Sequence, residues 1–377
     1  MKILHLGKYY PPEPGGIETF LRSLCQEQAR VGHEVRAVCH AGKRDASLLV
    51  RDGAVEVRFA RALGRSSASA FAPRFLALGR AVAASMRPDV ICLHLPNLSG
   101  MLAALALGRA YVVHWHAPVL AQDISPLART MLPAYRLLEA LVLRRASRIV
   151  VTSRAMLEGC PQLSAWRGKC RVVPLGVDLP GEVANRAASA PGGGKNAPLV
   201  LSLGRFAAYK GFDRLALAAV HAPGTRFVMA GDGPLRGEVM RLVRDLGLTQ
   251  RISFPGRVDD VAREALYAAC DVFCLPSVSP AEAFGLVLVE AMARGRPVVA
   301  ACPPGSGIAE VVVHQKTGLL VPPDDPLALA QAICALLADP GGAAAMGEAG
   351  LRRVRTLFDI RGVAGLTEQV YAQAMPV

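Results

Sequence analysis

Short runs of apolar residues alternate along the chain with longer stretches in which apolar residues recur at helical spacing. The short runs are typical of buried parallel strands and the longer stretches of amphipathic helices. In the first half, strands are predicted over residues 2–6, 35–39, 90–94, 111–116, 149–151 and 170–174. In the second half, they are predicted over residues 199–203, 226–230, 252–254, 269–275, 298–302 and 318–321. Because strands and helices alternate in both halves, we expect an α/β protein with two Rossmann-like, doubly wound parallel sheets.

Helical spacing predicts helices over residues 17–31, 98–107, 129–148, 259–269, 285–293 and 324–337. A further helix is predicted over residues 61–87, where five arginines stand among Ala, Leu and Phe: Arg61, Arg65, Arg74, Arg80 and Arg87. This helix is interpreted either as a basic surface that touches a membrane or, as is more common, as a solvated face.

The length of 377 residues exceeds one ordinary hydrophobic core, so two domains are expected. A stretch rich in alanine, proline and glycine has the composition of a linker. We therefore predict a first domain over residues 1–185, a linker over residues 186–198 and a second domain over residues 199–355.

The net charge is +13, and arginine supplies most of the cations, with 36 arginines against seven lysines. Such a surface suits nucleic acid, an anionic membrane or phosphorylated substrates. Only 5% of the residues are aromatic and no nucleic-acid-binding module is recognisable, so we expect no nucleic-acid partner. Phosphorylated substrates and an anionic membrane remain.

Nine cysteines without any C-x-x-C pair indicate reduced thiols rather than a disulfide framework. The N-terminal apolar run leads directly into a glycine turn, so we expect no signal peptide and a cytoplasmic protein. His114 and His116 form an H-x-H pair on a predicted strand, where both side chains point to one face. No third ligand is evident near them, so no metal site is predicted.

Glycines and charged residues cluster where strands of the second half end. These residues are Gly204, Arg205, Lys210, Gly231, Glu282 and Glu290, and Val258 stands in another of the same strand-end loops. Strand-end loops of a parallel sheet line its ligand-binding crevice, so we expect the donor site of a group transfer there. Arg205 and Lys210 would supply two cations for a diphosphate.

Glu282 and Glu290 bracket the start of the predicted helix over residues 285–293. The free backbone amides near Phe284, Gly285 and Leu286 would attract an anion such as a diphosphate. The two carboxylates would then accept hydrogen bonds from sugar hydroxyls. The alternative interpretation is that Glu282 caps the helix and Glu290 lies on a solvated face.

Together these motifs resemble the retaining nucleotide-sugar glycosyltransferases of family 4, which have the GT-B fold. The resemblance covers essentially the whole chain and depends on E-x7-E at 282–290, G-R-x4-K at 204–210, G-x-G-P at 231–234 and G-G-I-E at 15–18. It implies two Rossmann-like domains facing each other across a cleft, with a final segment over residues 356–377 that returns to the first domain. It also implies a nucleotide-diphosphate sugar as co-substrate and no metal cofactor.

The resemblance further implies a role for each matching residue. Arg205 and Lys210 would bind the donor diphosphate, Glu282 the hydroxyls of the transferred sugar and Glu290 the ribose. The backbone near Val258 would contact the base. Gly15 and Gly16 would meet the phosphate or the acceptor, and His116 the donor sugar. Reaction with retention is expected to leave the acceptor's proton on the departing phosphate.

His114-Trp115-His116 resembles bacterial envelope-polysaccharide members, many of which use GDP-mannose, although Ala117-Pro118 stands where those members often have Ser-Asp. We therefore expect transfer of a hexose, with mannose favoured, to a lipid-linked or saccharide acceptor at the inner face of a membrane. Two other enzyme classes are considered, a GT-B sugar-nucleotide epimerase and a dinucleotide-dependent oxidoreductase. The absence of G-x-G-x-x-G argues against the oxidoreductase, and the full set of donor-side residues argues against a non-enzymatic binding module.

Overall fold

The computed structural model describes residues 1–42, 49–62, 64–65, 70–179 and 197–375. The chain forms two compact units. The first unit comprises Met1–Gly176 and the C-terminal segment from Ile360, and the second comprises Val177–Asp359. The division after Gly176 falls earlier than the predicted end of the first domain at residue 185. Of the predicted linker over residues 186–198, residues 186–196 lie outside the part of the chain that the structure describes.

The first unit is built on an eight-stranded sheet of order β10-β9-β8-β7-β1-β2-β4-β3. Its strands are β1 (Lys2–Leu6), β2 (Glu34–Ala41), β3 (Leu49–Asp52), β4 (Val55–Arg61), β7 (Val90–Leu95), β8 (Tyr111–Trp115), β9 (Arg148–Val151) and β10 (Cys170–Val172). All pair in parallel except β3, which is antiparallel to β4. The central strands are buried throughout, which explains their continuous apolar runs.

Helices accompany the strands of this unit. They are α1 (Gly16–Arg30), α2 (Pro73–Met86), α3 (Leu98–Leu107), α4 (Pro126–Arg145), α5 (Arg154–Gly159) and the C-terminal α13 (Ile360–Ala372). Helix α4 begins and ends three residues before the predicted bounds, because Ser125 caps it and Pro126 occupies its first turn.

The prediction of one helix over residues 61–87 was wrong. Arg61 ends β4, and a two-stranded ribbon of β5 (Gly64–Arg65) and β6 (Ala70–Phe71) follows it. Helix α2 begins only at Pro73, the position that proline favours in a helix, and ends where Arg87 adopts a left-handed conformation with φ 50°.

The second unit is built on a six-stranded sheet of order β13-β12-β11-β14-β15-β16, and all its pairs are parallel. Its strands are β11 (Leu199–Leu203), β12 (Arg226–Ala230), β13 (Ile252–Gly256), β14 (Val272–Leu275), β15 (Val298–Ala301) and β16 (Leu319–Val321). Its helices are α6 (Phe212–Val220), α7 (Arg236–Asp245), α8 (Asp260–Ala269), α9 (Leu286–Met292), α10 (Ile308–Val311), α11 (Pro326–Ala338) and α12 (Pro340–Leu357).

The order of the second sheet reverses direction at β11, with β12 on one side and β14 on the other. Such a reversal opens a crevice at the carboxyl ends of the two flanking strands, where α/β proteins bind ligands. The loops that follow β11, β12 and β14 carry most of the predicted donor-side residues.

Among the described helices none is by itself both long and apolar enough to cross a membrane. The bent pair α11 and α12, whose axes differ by 102°, meets the criteria on length and composition alone.

Candidate active site

Two glycines bring the ends of three strands of the second unit close together. Gly204 donates from its backbone N–H to the Ala230 carbonyl at 3.0 Å, and Gly231 donates to Gly256 at 2.8 Å. Gly231 has φ 131°, and a Cβ at this position would lie 1.8 Å from the Gly204 carbonyl oxygen. Position 231 therefore requires glycine. The edge of the sheet is consequently lined by backbone, which a ligand can approach closely.

Gly211 holds the loop after β11 against the loop after β14. It has φ 65° and ends a single 3-10 turn, Ala208–Lys210. A Cβ on Gly211 would lie 2.1 Å from the Pro276 carbonyl oxygen, so the two loops meet through backbone alone. Val278 donates its N–H to the Tyr209 carbonyl at 2.9 Å. Lys210, in the loop after β11, is thereby placed against the side chains of the loop after β14.

Lys210 and Glu282 form a buried ion pair, with Nζ 2.5 Å from Oε2. Both residues are only 8% exposed, and Ser277 donates its hydroxyl to the same carboxylate oxygen at 3.0 Å. Burial alone would lower the pKa of Lys210, but Glu282, then Tyr209 and Glu290 raise it, and the net shift is upward. Lys210 is therefore a fixed cation at neutral pH, close to both carboxylates of the E-x7-E motif.

Glu290 is buried within helix α9, at 8% exposure. The hydroxyl of Tyr267, itself fully buried, donates to its Oε2 at 2.8 Å. Arg294 donates to the Glu290 carbonyl oxygen at 2.6 Å and lies 4.8 Å from the centre of the Tyr267 ring. The interpretation of Glu290 as a solvated surface residue was wrong.

The interpretation of Glu282 as a helix cap was also wrong. The N-cap of α9 is Gly285, which has φ 78° and makes no side-chain cap hydrogen bond. Leu286 is the first helical residue and is buried. Phe284 is 3% exposed and meets Phe358 edge to face at 5.7 Å. Glu282 therefore pairs with Lys210 and does not cap the helix. The turn before α9 is held by apolar packing of Phe284.

Arg205 lies in the loop after the central strand β11, and Val258 lies in the loop after the edge strand β13. Arg205 is exposed, and its guanidinium has no hydrogen bond or ion pair with any residue that the structure describes. Val258 is half-buried in the loop after β13. The structure therefore brings Lys210, Glu282 and Glu290 together, with Gly204 packed against Lys210, and leaves the cation of Arg205 accessible to a ligand.

The predicted site residues of the first unit lie at the start of α1 and directly after β8. Gly15 is the N-cap of α1 and Gly16 its first residue. A Cβ on Gly15 would lie 2.0 Å from the Glu18 carboxylate, so glycine makes room for this buried acid. Sequence reasoning gave Glu18 no role of its own, although the G-G-I-E motif contains it.

His116 directly follows β8, at the carboxyl end of the first sheet, and is 3% exposed. Its Nε2 is 2.9 Å from His94 Nδ1. Burial lowers the pKa of His116 to about 3, so the ring is neutral at pH 7. Its Nδ1 is buried without a hydrogen-bond partner among the described residues.

His94 also corrects the statement that H-x-H has no third ligand nearby. One nitrogen of each ring of His94, His114 and His116 lies within 4.8 Å of the others. The sequence carried a partial signal, because His94 and His116 each end a predicted strand, over residues 90–94 and 111–116. The pairing of β7 with β8, which makes His94 and His114 register partners, is seen only in the structure.

The family model "Glycosyl transferases group 1" matches residues 186–353, and "Glycosyl transferase 4-like domain" matches residues 15–176. D-rhamnosyltransferase WbpZ of Pseudomonas aeruginosa is 30% identical over 365 residues, covering 95% of this chain and 92% of WbpZ. The chain belongs to the family 4 glycosyltransferases. This glycosyltransferase is also 27% identical over 364 residues to O-antigen chain mannosyltransferase C of Escherichia coli, covering 95% of this chain and 94% of that protein.

Sucrose-phosphate synthase from Thermosynechococcus elongatus superposes on the glycosyltransferase with a TM-score of 0.80 at 26% identity, covering 99% of both chains. The predicted family and the GT-B fold, with two parallel-sheet α/β domains, are confirmed. Neither alternative class, the sugar-nucleotide epimerase or the dinucleotide-dependent oxidoreductase, is favoured by these similarities.

Proposed function

We propose that this glycosyltransferase moves a hexose, with mannose favoured, from a nucleotide-diphosphate sugar to a saccharide or lipid-linked acceptor during synthesis of a cell-envelope polysaccharide. The observation that carries the proposal is the buried Lys210–Glu282 pair beside Glu290, at the point where the order of the second sheet reverses. The rhamnosyl- and mannosyltransferase relatives support a deoxyhexose or hexose of the manno series as the transferred sugar.

The donor would bind at the strand ends of the second unit. Arg205, exposed and unpaired within the described residues, and Lys210, buried and cationic, would contact the diphosphate. As the sugar departs, negative charge grows on this diphosphate, and preorganised cations stabilise it without reorganisation. We propose that this replaces a metal ion, so that the reaction needs none.

The two carboxylates would hold the rest of the donor. Glu282, fixed by Lys210 and Ser277, would accept hydrogen bonds from hydroxyls of the sugar. Glu290, oriented by Tyr267, would accept them from the ribose. We propose retention in which the acceptor attacks on the face that the diphosphate leaves, and the leaving oxygen takes the acceptor's proton.

The experiment is a transfer assay with GDP-, UDP- and ADP-sugars, including GDP-mannose, with and without a metal chelator. We expect turnover with one nucleotide sugar, unchanged by the chelator, and an α-linked product by NMR from an α-linked donor. Glu282→Gln should lose transfer, whereas Asp213→Asn, which changes an exposed carboxylate of the same unit, should keep it. Loss of activity with the chelator would refute metal independence, and an inverted product would refute retention.

We propose in addition that the enzyme works in the cytoplasm against the inner face of a membrane. Helix α4 exposes Leu127, Met131 and Leu137 by 77%, 66% and 76%, and its last turn carries the exposed Arg144 and Arg145. A helix that exposes both apolar side chains and cations suits an anionic lipid surface.

Vesicle flotation tests the membrane proposal. Vesicles with anionic lipid should float the protein at low salt, and Leu127→Glu with Leu137→Glu should abolish flotation. Val261→Glu changes a side chain that is 80% exposed on α8 of the second unit and should not affect it. Equal flotation of all three proteins would rule out α4.

A further inference from the structure

Four histidines meet in the interior of the first unit. They come from three neighbouring strands and the residue after one of them, and a glutamine of α1 and a tyrosine of α13 join them: His5, His94, His114, His116, Gln28 and Tyr371. All six are at most 3% exposed. A polar cluster this deep is costly unless its members satisfy one another.

Three of the histidines form a single row with Gln28. Gln28 Oε1 is 2.9 Å from His5 Nε2, His5 Nδ1 is 2.9 Å from His94 Nε2, and His94 Nδ1 is 2.9 Å from His116 Nε2. The ring planes of His94 and His116 are nearly parallel, at 10°, and their facing nitrogens are at hydrogen-bond distance. Each ring uses one nitrogen toward each neighbour.

Gln28, at one end of the row, sets the direction of every hydrogen bond in it. The amide oxygen of Gln28 can only accept, so His5 must carry its proton on Nε2. A neutral His5 then has a lone pair on Nδ1, and His94 must donate from its own Nε2. By the same reasoning His116 donates from Nε2 to His94 Nδ1. The proton of His116 is therefore fixed on Nε2, and its Nδ1 is an acceptor.

The far end of the row carries an open hydrogen-bonding position. His116 Nδ1 has no partner within the described residues, although the ring is almost fully buried. His116 lines a tight gap with Phe20, Thr152 and Leu175 at the carboxyl end of the sheet, and this gap is too small to admit a water molecule. A buried, unpaired lone pair at the ligand-binding edge of a parallel sheet needs a donor, and a sugar hydroxyl supplies one.

We propose that Gln28, His5 and His94 are positioning residues that hold His116 in the tautomer with an unprotonated Nδ1, ready to accept a hydrogen bond from a hydroxyl of the bound substrate. This proposal rests on the proposed function for its ligand, but the tautomer can be measured without any ligand. His114 belongs to a separate arm, since its Nε2 is 2.7 Å from the Tyr371 hydroxyl and its ring stacks on His94 at 4.6 Å.

A tri-histidine metal site is the competing occupant of this cluster. Both nitrogens of His94 already face another imidazole at 2.9 Å. A metal ion bound to His94 would therefore break the row on one side. The hydrogen-bonded row satisfies both ring nitrogens of His5 and of His94 without that loss, which favours it over the metal.

The test uses protein labelled with 15N in its histidines. The wild-type spectrum should show His116 with a protonated Nε2 and an unprotonated Nδ1, assigned by loss of its signals in His116→Gln. Gln28→Leu removes the acceptor that sets the direction, so His116 should show mixed tautomers. Gln28→Glu keeps an acceptor and should restore the wild-type pattern. Gln26→Leu, on the same helix, is the matched control.

Activity provides the second measurement. Gln28→Leu should lower kcat/KM by about 5- to 100-fold, the effect of one mismatched buried hydrogen bond, and Gln28→Glu should recover most of it. A proton on Nδ1 of wild-type His116 would overturn the proposal, even if Gln28→Leu fails to fold. So would stoichiometric zinc uptake that shifts the His94 and His116 signals. If His116 shows the expected tautomer but the protein has no transferase activity, the positioning of His116 by the histidine row would be supported. Only the proposed function would then be refuted.

Discussion

Removing the amine of Lys210 should destabilise the second unit more than removing both members of its ion pair. In Lys210→Met the Glu282 carboxylate stays buried, and among the residues that the structure describes it keeps only the Ser277 hydroxyl as partner. Breaking a buried pair in this way costs about 3–5 kcal/mol. For a unit of this size we expect a fall in Tm of about 6–20 °C. The double variant Lys210→Met/Glu282→Leu removes both charges, so most of that loss should be recovered.

Thermal unfolding followed by circular dichroism measures this difference, with transfer activity as a parallel assay. The double variant should be folded and inactive, which separates stability from catalysis. The pKa of Lys210 is raised in the folded protein, so the pair stabilises fully below the ordinary pKa of 10.5 and loses its contribution as the pH rises further. The difference between wild type and Lys210→Met should therefore be constant from pH 7 to 9. A double variant no more stable than Lys210→Met would refute the reasoning.

Three further predictions concern other parts of the structure. Gly231→Ala should prevent folding, because its Cβ would overlap a carbonyl oxygen, whereas Gly224→Ala, at φ 76° in open space, should cost only about 1–2 kcal/mol in urea unfolding. Tyr267→Phe removes the donor to Glu290 and should raise the KM of the nucleotide sugar about tenfold, a result that unchanged KM would contradict. Burial lowers the pKa of His94 well below 6.5, so its contribution to stability is complete above pH 6.5 and is lost as the pH falls. The unfolding free energy should drop from pH 7 to 5, and drop less in His94→Phe.

The strands and the donor-side motif were predictable because their signals are local. Strand β7 is buried on both faces, so its sequence is a continuous apolar run, and helix α9 is bounded by glycines at positions 285 and 295 that take positive φ. The family followed from motifs whose spacing is preserved within single loops and helices. These features require no knowledge of which loops meet.

The partners of the site residues were not predictable in the same way. The contact between Lys210 and Glu282 depends on two loops that are held together by the backbone at Gly211. The pattern of apolar residues around Lys210 or around Glu282 does not show that these loops meet. The histidine row depends on the order of β1, β7 and β8 in the sheet, which the sequence does not display. The β3–β4 hairpin was missed because β3 is short and mostly exposed, with little apolar pattern to detect.

The return of the C-terminal helix has a practical consequence for dissecting this enzyme. Tyr371 of α13 reaches into the interior of the first unit and touches His114, so a fragment that stops at Gly176 would lack a piece of its own core. An isolated first half would have to be made as a fusion that joins residue 176 directly to residue 360. Gly176 already lies against the backbone of Ile360, so such a junction would need little or no spacer.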